Sequence, residues 1–213
     1  MKGEPIGLIG IDEAGKGDYF GPLVIAACYC NDSIEDEFFK IGLKESKAVS
    51  DGRSFALESQ IKSIAPHSVV TILPEKYNQL YNKIRNLNRL LAWGHARALE
   101  NLLAEVNPIK AISDQFGDKR LIERALMERG QAIELVQRTK AEAIPAVAAA
   151  SILARAEFLR RLTNLSTQHK IKLPKGAGEQ VDLAARSYVE MYGRENLDNV
   201  AKIHFKNTSR VSG

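Results

Sequence analysis

Apolar residues in this chain fall in short runs before residue 86 and in longer periodic stretches after it, which predicts strands first and then alternating helices and strands. Residues 6–11 fit a strand that breaks at the glycine-rich turn Gly15-Lys16-Gly17, and residues 22–29 are long enough to pair back as the second arm of a hairpin. Residues 31–54 are polar and punctuated by Gly42 and Gly52, so they read mostly as connecting structure. Residues 69–73 form a third short strand, stopped by Pro74. From Asn86, the apolar positions Leu87, Leu90, Leu91, Ala98 and Leu102 keep helical spacing until Asn107-Pro108 closes the helix. A brief strand at 111–113 ends at Asp114, and residues 119–129 are helical with Gly130 as the C-terminal cap. A strand at 133–136 runs into the polar turn 137–142, an alanine-rich helix covers 146–162, and the tail from Pro174 holds one or two more helices.

This order predicts an α/β fold in which helices flank a mixed five-stranded sheet, an antiparallel hairpin being continued by parallel strands. The expected organisation is one domain over residues 1–213, with a helical C-terminal extension over about 175–213. Such an architecture hosts many chemistries, so function has to come from particular residues.

Composition narrows the field only slightly. The net charge of +4 and pI of about 9.0 permit a polyanionic partner without requiring one. No apolar run reaches membrane-span length and the N-terminus lacks a signal-peptide core, so the expected location is the cytoplasm, with no membrane association. Cys28 and Cys30 lie one residue apart on a strand, where alternation sends them to opposite faces and disfavours a bridge.

Four acids share one peculiarity. Asp12 and Glu13 follow the first apolar strand, Asp114 follows the strand at 111–113, and Glu142 comes soon after the strand at 133–136. Where neighbouring strands end together, these carboxylates converge at one sheet edge, and converging carboxylates repel unless a cation neutralises them. Oxygen donors suit Mg²⁺ or Mn²⁺, and two such ions about 3.5–4 Å apart can activate water and stabilise a leaving phosphodiester oxygen. Asp114 alone is as readily a turn or cap residue and Glu142 alone a solvated one, so the pattern by itself leaves both readings open. Gly15, Lys16 and Gly17 could bring backbone amides and an ammonium to a phosphate or sugar edge, or simply form a hairpin turn. Lys44-Glu45-Ser46-Lys47 offers hydroxyl and ammonium groups suited to phosphate oxygens, or is a solvated loop. Arg85, Arg89 and Arg97 could face a nucleic-acid backbone or water, and His95 and Trp93 read as packing residues. Phosphate-binding-loop, dinucleotide, zincin and serine-hydrolase motifs are absent.

The stretch 10–22, GIDEAGKGDYFGP, closely resembles the signature of type 2 ribonucleases H, and its DYFGP portion is similar to the ribonuclease HIII branch. The resemblance continues through 44–47, 86–101 (NLNRLLAWGHARALEN), 114–116, 140–142, 147–155 (VAAASILAR), 173–177 and 204–208, covering nearly the whole chain in order. It implies a ribonuclease H-like fold, action as a monomer on RNA–DNA hybrids, and divalent-metal endonucleolysis leaving 5′-phosphate and 3′-hydroxyl ends. Carried over by position, Asp12, Glu13, Asp114 and Glu142 are the acidic metal-binding set. Gly15, Lys16 and Gly17 match the tripeptide that approaches ribose 2′-hydroxyls, while Ser46, Lys47 and Ser151 match groups near the nucleic-acid backbone. Ribonucleases HIII usually carry a TATA-binding-protein-like domain ahead of the catalytic one. Eleven residues precede Asp12 here, so either this is a trimmed chain or the lineage lacks that domain, and hybrid binding through it does not carry over. Gly-Lys-Gly also replaces the Gly-Arg-Gly of ribonucleases HII, and lysine lacks the planar fork of arginine. Competing readings are ribonuclease HII-type incision at single ribonucleotides, a non-catalytic hybrid-binding module, and another nuclease sharing the fold.

Overall fold

The computed structural model describes residues 7–43 and 49–211. Five strands, β1 (Leu8–Ala14), β2 (Leu23–Cys30), β3 (His67–Ile72), β4 (Lys110–Asp114) and β5 (Glu134–Arg138), form one sheet in the order β3-β2-β1-β4-β5. The helices are α1 (Asp32–Lys40), α2 (Asp51–Ile64), α3 (Pro74–Ile84), α4 (Leu87–Leu102), α5 (Lys119–Ala125), α6 (Pro145–Gln168), α7 (Glu179–Tyr192) and α8 (Lys206–Arg210). The contacts divide the chain into two compact units. One comprises Met1–Glu13, Ile25–Val70 and Asn86–Ala156, and the other Ala14–Val24, Thr71–Arg85 and Glu157–Gly213.

In the first unit β1, β4 and β5 pair in parallel, and the register sets Ile11 opposite Ser113 and Asp114 opposite Arg138. β2 is buried along its whole length, as a strand covered on both faces must be, and its cysteines are buried free thiols. Burial pushes the Cys30 thiol up to about 12, so it is inert as a nucleophile at neutral pH. α4 begins at its Asn86 cap, whose side chain accepts the Arg89 N–H, and buries Leu90, Leu91, Ala98, Leu99 and Leu102. β1 passes close to the first turn of α6. A Cβ on Gly10 would lie 2.2 Å from the Ala146 carbonyl carbon and the Val147 nitrogen, so only glycine permits this approach.

Several sequence expectations give way here. Residues 31–54, read as connecting structure, contain α1 and the start of α2. The side chain of Asn31 accepts the Ile34 N–H and that of Ser50 the Arg53 N–H, and Gly42 and Gly52 mark helix boundaries. Pro74 ends β3 by opening α3, where its missing N–H costs nothing. α4 stops at Leu102, well before Asn107-Pro108, and a run of turns fills the gap. α5 ends at Ala125, and Gly130 is no cap to it: the Glu100 carboxylate of α4 accepts the Arg129 and Gly130 N–H groups, drawing this segment out of helix.

In the second unit α7 and α8 supply the helical tail. Lys202 is fully buried and donates to the Asp18 and Gly21 carbonyls at 2.7 and 2.8 Å. Burial pushes its ammonium down to about 7. With the Phe20–Ala201 bridge and the Gly21 N–H bonded to Val200, this anchors the far side of the Gly15–Gly17 turn.

Candidate active site

Along β1 the side chains alternate, with Ile9 and Ile11 fully buried. Because Ile11 is in register with the buried Ser113, the next residues, Asp12 and Asp114, stand abreast at the C-terminal ends of two parallel strands. Asp12 Oδ1 accepts the Glu13 N–H at 2.9 Å, and Ser151, in the second turn of α6, donates its hydroxyl to the same carboxylate. Burial first and the Glu13 charge second push the Asp12 carboxyl up to about 6, well above an ordinary aspartate. Asp114 Oδ1 accepts the Ala141 N–H at 3.2 Å, which ties the short turn carrying Glu142 to the end of β4. Glu142 itself is exposed.

Glu13 turns the other way. Its Oε2 lies 3.1 Å from His95 Nε2 of α4, and the opposite ring nitrogen lies 3.2 Å from Ser113 Oγ. Beside Glu142 and Ser151 a cavity of about 560 Å³ opens, walled by Phe38, Phe39, Leu43 and Arg155.

Of the residues singled out from sequence, Asp12, Glu13, Asp114, Glu142 and Ser151 thus belong to the first unit and are joined by short contacts or backbone turns. Gly15, Lys16 and Gly17 belong to the second. Gly15 has φ of 85°, and a Cβ there would lie 2.1 Å from the Pro22 carbonyl oxygen, so this turn requires glycine; Gly17 opens onto free space. Ser46 and Lys47 lie outside the described residues. Sequence reading assigned His95 to packing, yet this fully buried ring contacts Glu13. The available signal was an imidazole on the inward stripe of α4, since a buried polar ring needs partners.

The donors are all oxygen, and the raised Asp12 carboxyl beside Glu13 is the electrostatic cost a hard divalent cation relieves, so the chemistry of the set fits such an ion. The set as it stands is open. Among the described residues no three acidic, histidine or cysteine side chains close around one point, Glu13 being engaged with His95 and one Asp114 oxygen with Ala141.

Comparison with solved structures gives the class. Bst-RNase HIII, solved in complex with Mn²⁺, superposes with a TM-score of 0.90 at 32% identity, covering 99% of this chain and 70% of that one. The ribonuclease HII of Archaeoglobus fulgidus, from its complex with PCNA, gives 0.79 at 27% identity and covers 97% of each chain. The fold is therefore of ribonuclease H type. Residues 9–208 match the family profile described as Ribonuclease HII, and the Ribonuclease HIII of Protochlamydia amoebophila is 42% identical over 205 residues, 96% of this chain and 68% of that protein. The chain belongs to the ribonuclease HII family, and the resemblance to its ribonuclease HIII branch, read from residues 18–22, is borne out.

Proposed function

We infer that this protein is an endoribonuclease that hydrolyses the RNA strand of RNA–DNA hybrids, with Asp12, Glu13, Asp114 and Glu142 as its acidic set. The observation that carries the reading is that Asp12 and Asp114 directly follow the paired residues Ile11 and Ser113 of two parallel strands, with the Asp12 carboxyl raised by burial and by Glu13. Metal-free, this edge repels phosphate; two Mg²⁺ or Mn²⁺ ions on these oxygens would supply charge neutralisation, an activated water and stabilisation of the leaving oxygen. Ser151 orients the Asp12 carboxylate, and Ala141 holds that of Asp114. Gly15, Lys16 and Gly17 are read as the segment that meets the ribose 2′-hydroxyls, the groups that distinguish RNA from DNA, with Ser46 and Lys47 near the backbone. The protein acts as a monomer in the cytoplasm, a reducing compartment that suits its two buried free thiols.

The test is a panel of labelled duplexes with Mg²⁺ or Mn²⁺: hybrid, RNA duplex, DNA duplex and junctions. Cleavage of the hybrid alone, leaving 5′-phosphate and 3′-hydroxyl ends, is expected, and cutting of the DNA duplex at a comparable rate would overturn the assignment. Neutralising Asp12, Glu13, Asp114 or Glu142 singly should lower kcat by at least about a hundredfold. Asp118→Asn belongs beside them, because Asp118 sits in the loop after β4, where it caps α5 and pairs with Arg120. Full loss at Asp118 with Glu142→Gln unaffected would move the fourth position to Asp118.

A further inference from the structure

We propose that His95 is a positioning residue that fixes the Glu13 carboxylate and couples it to the end of β4. The proposal rests on the acidic set just described and concerns what holds that set in shape. α4 sets the His95 ring, with no exposed surface, against Glu13 of β1 and Ser113 of β4. Both edges of the ring are engaged: Nε2 stands 3.1 Å from Glu13 Oε2, and Nδ1 stands 3.2 Å from Ser113 Oγ. Ser113 in turn donates to the Asp114 carbonyl at 2.9 Å, which carries the connection onto the backbone of the neighbouring acid. Phe116, two residues further on, packs on the ring with centroids 4.6 Å apart. An imidazole gripped at both nitrogens and covered by an aromatic ring has little rotational freedom, so its carboxylate partner inherits a defined direction. Glutamate has three side-chain torsions and would otherwise sample many orientations in this half-buried site. Hydrogen bonds to ligating groups commonly contribute about 10–100-fold to metal affinity, and here one ring orients one acid while bracing the strand that carries another.

A residue that merely fills the core would tolerate an apolar substitute of similar size. The experiment measures Mn²⁺ binding to the substrate-free protein by titration calorimetry, together with kcat and KM on a hybrid and the thermal melt. For His95→Leu the expected result is a cooperative melt, Mn²⁺ affinity about 10–100-fold weaker, and a fall in kcat with KM for the hybrid nearly unchanged. His95→Gln, whose amide can still reach Glu13, should recover much of the affinity. Ser113→Ala removes only the Nδ1 partner and keeps the question open to measurement if His95→Leu fails to fold; it should weaken Mn²⁺ binding several-fold. Wild-type Mn²⁺ affinity in either His95→Leu or Ser113→Ala would overturn the proposal while leaving the ribonuclease reading intact. A wild-type protein that neither binds Mn²⁺ nor cuts a hybrid would remove that reading, and this proposal with it.

Discussion

Asp12 is costly to the protein that carries it. Its carboxyl is pushed up to about 6 by burial and by Glu13, whereas in the unfolded chain it titrates near an ordinary aspartate value of about 4. Between those two values the folded chain holds a proton that the unfolded chain has lost, so this group's contribution to stability is greatest below pH 4 and is lost as pH rises through 6. At pH 7 the charged Asp12 therefore costs the metal-free fold on the order of 1–3 kcal/mol. Asp12→Asn should abolish hybrid cleavage and yet raise the melting temperature in EDTA at pH 7 by roughly 2–8 °C, with the gain gone near pH 4. A metal-free variant that melts below the wild type at pH 7 would contradict this account. The position of Asp12 was legible in sequence because two acids come straight after the apolar run that opens β1. The role of His95 was not, because helical spacing shows which way a side chain faces but not what waits there.

At the scale of elements, the strands were easier to read than the helices between them. β1, β2, β4 and β5 are short apolar runs bounded by turn residues, and each lies within three residues of its expected place. α2 escaped notice because Ser54 and Glu58 share its buried face with Leu57 and Ile61, so polar residues interrupt the apolar period. The end of α5 depends on Glu100, some thirty residues back in the chain, and no local pattern announces such a contact. Under the proposed function, the β1–β2 turn is the element that bears on specificity. Gly15 is dictated by backbone geometry, but Lys16 is a choice: an ammonium is a point charge on a flexible stem, whereas the arginine of ribonucleases HII offers a planar, multidentate fork. Recognition of one ribose flanked by DNA relies on few contacts, so a weaker grip matters more there than on continuous RNA. A duplex with a single embedded ribonucleotide should accordingly be cut with kcat/KM at least about a hundredfold below that for a hybrid of the same length. Rates within tenfold of each other would show that lysine suffices.

For the whole molecule, the distribution of charge matters more than its total. The chain carries a formal charge of +4 while the proposed reacting edge is acidic, so attraction for a polyanion has to come from elsewhere on the surface. Arg89 and Arg97 on α4 and Arg85 at the end of α3 are exposed, as the sequence allowed. No helix among the described residues is long and apolar enough to cross a membrane. If hybrid binding is driven by such cations displacing counterions from phosphates, affinity must fall with salt as a power law whose exponent tracks the number of phosphates contacted. Three or more contacts imply that Kd rises at least about thirtyfold between 50 and 200 mM salt. The measurement is cleanest on Asp12→Asn at fixed Mg²⁺, where binding is seen without turnover. Substituting Arg89 and Arg97 together should flatten the slope by up to about two units while leaving hybrid-over-DNA preference unchanged, since phosphate contacts position a duplex without reading its sugars. A salt-independent Kd would mean that the grip on the hybrid is carried by groove and ribose contacts, and the basic excess of the chain would then have no part in substrate capture.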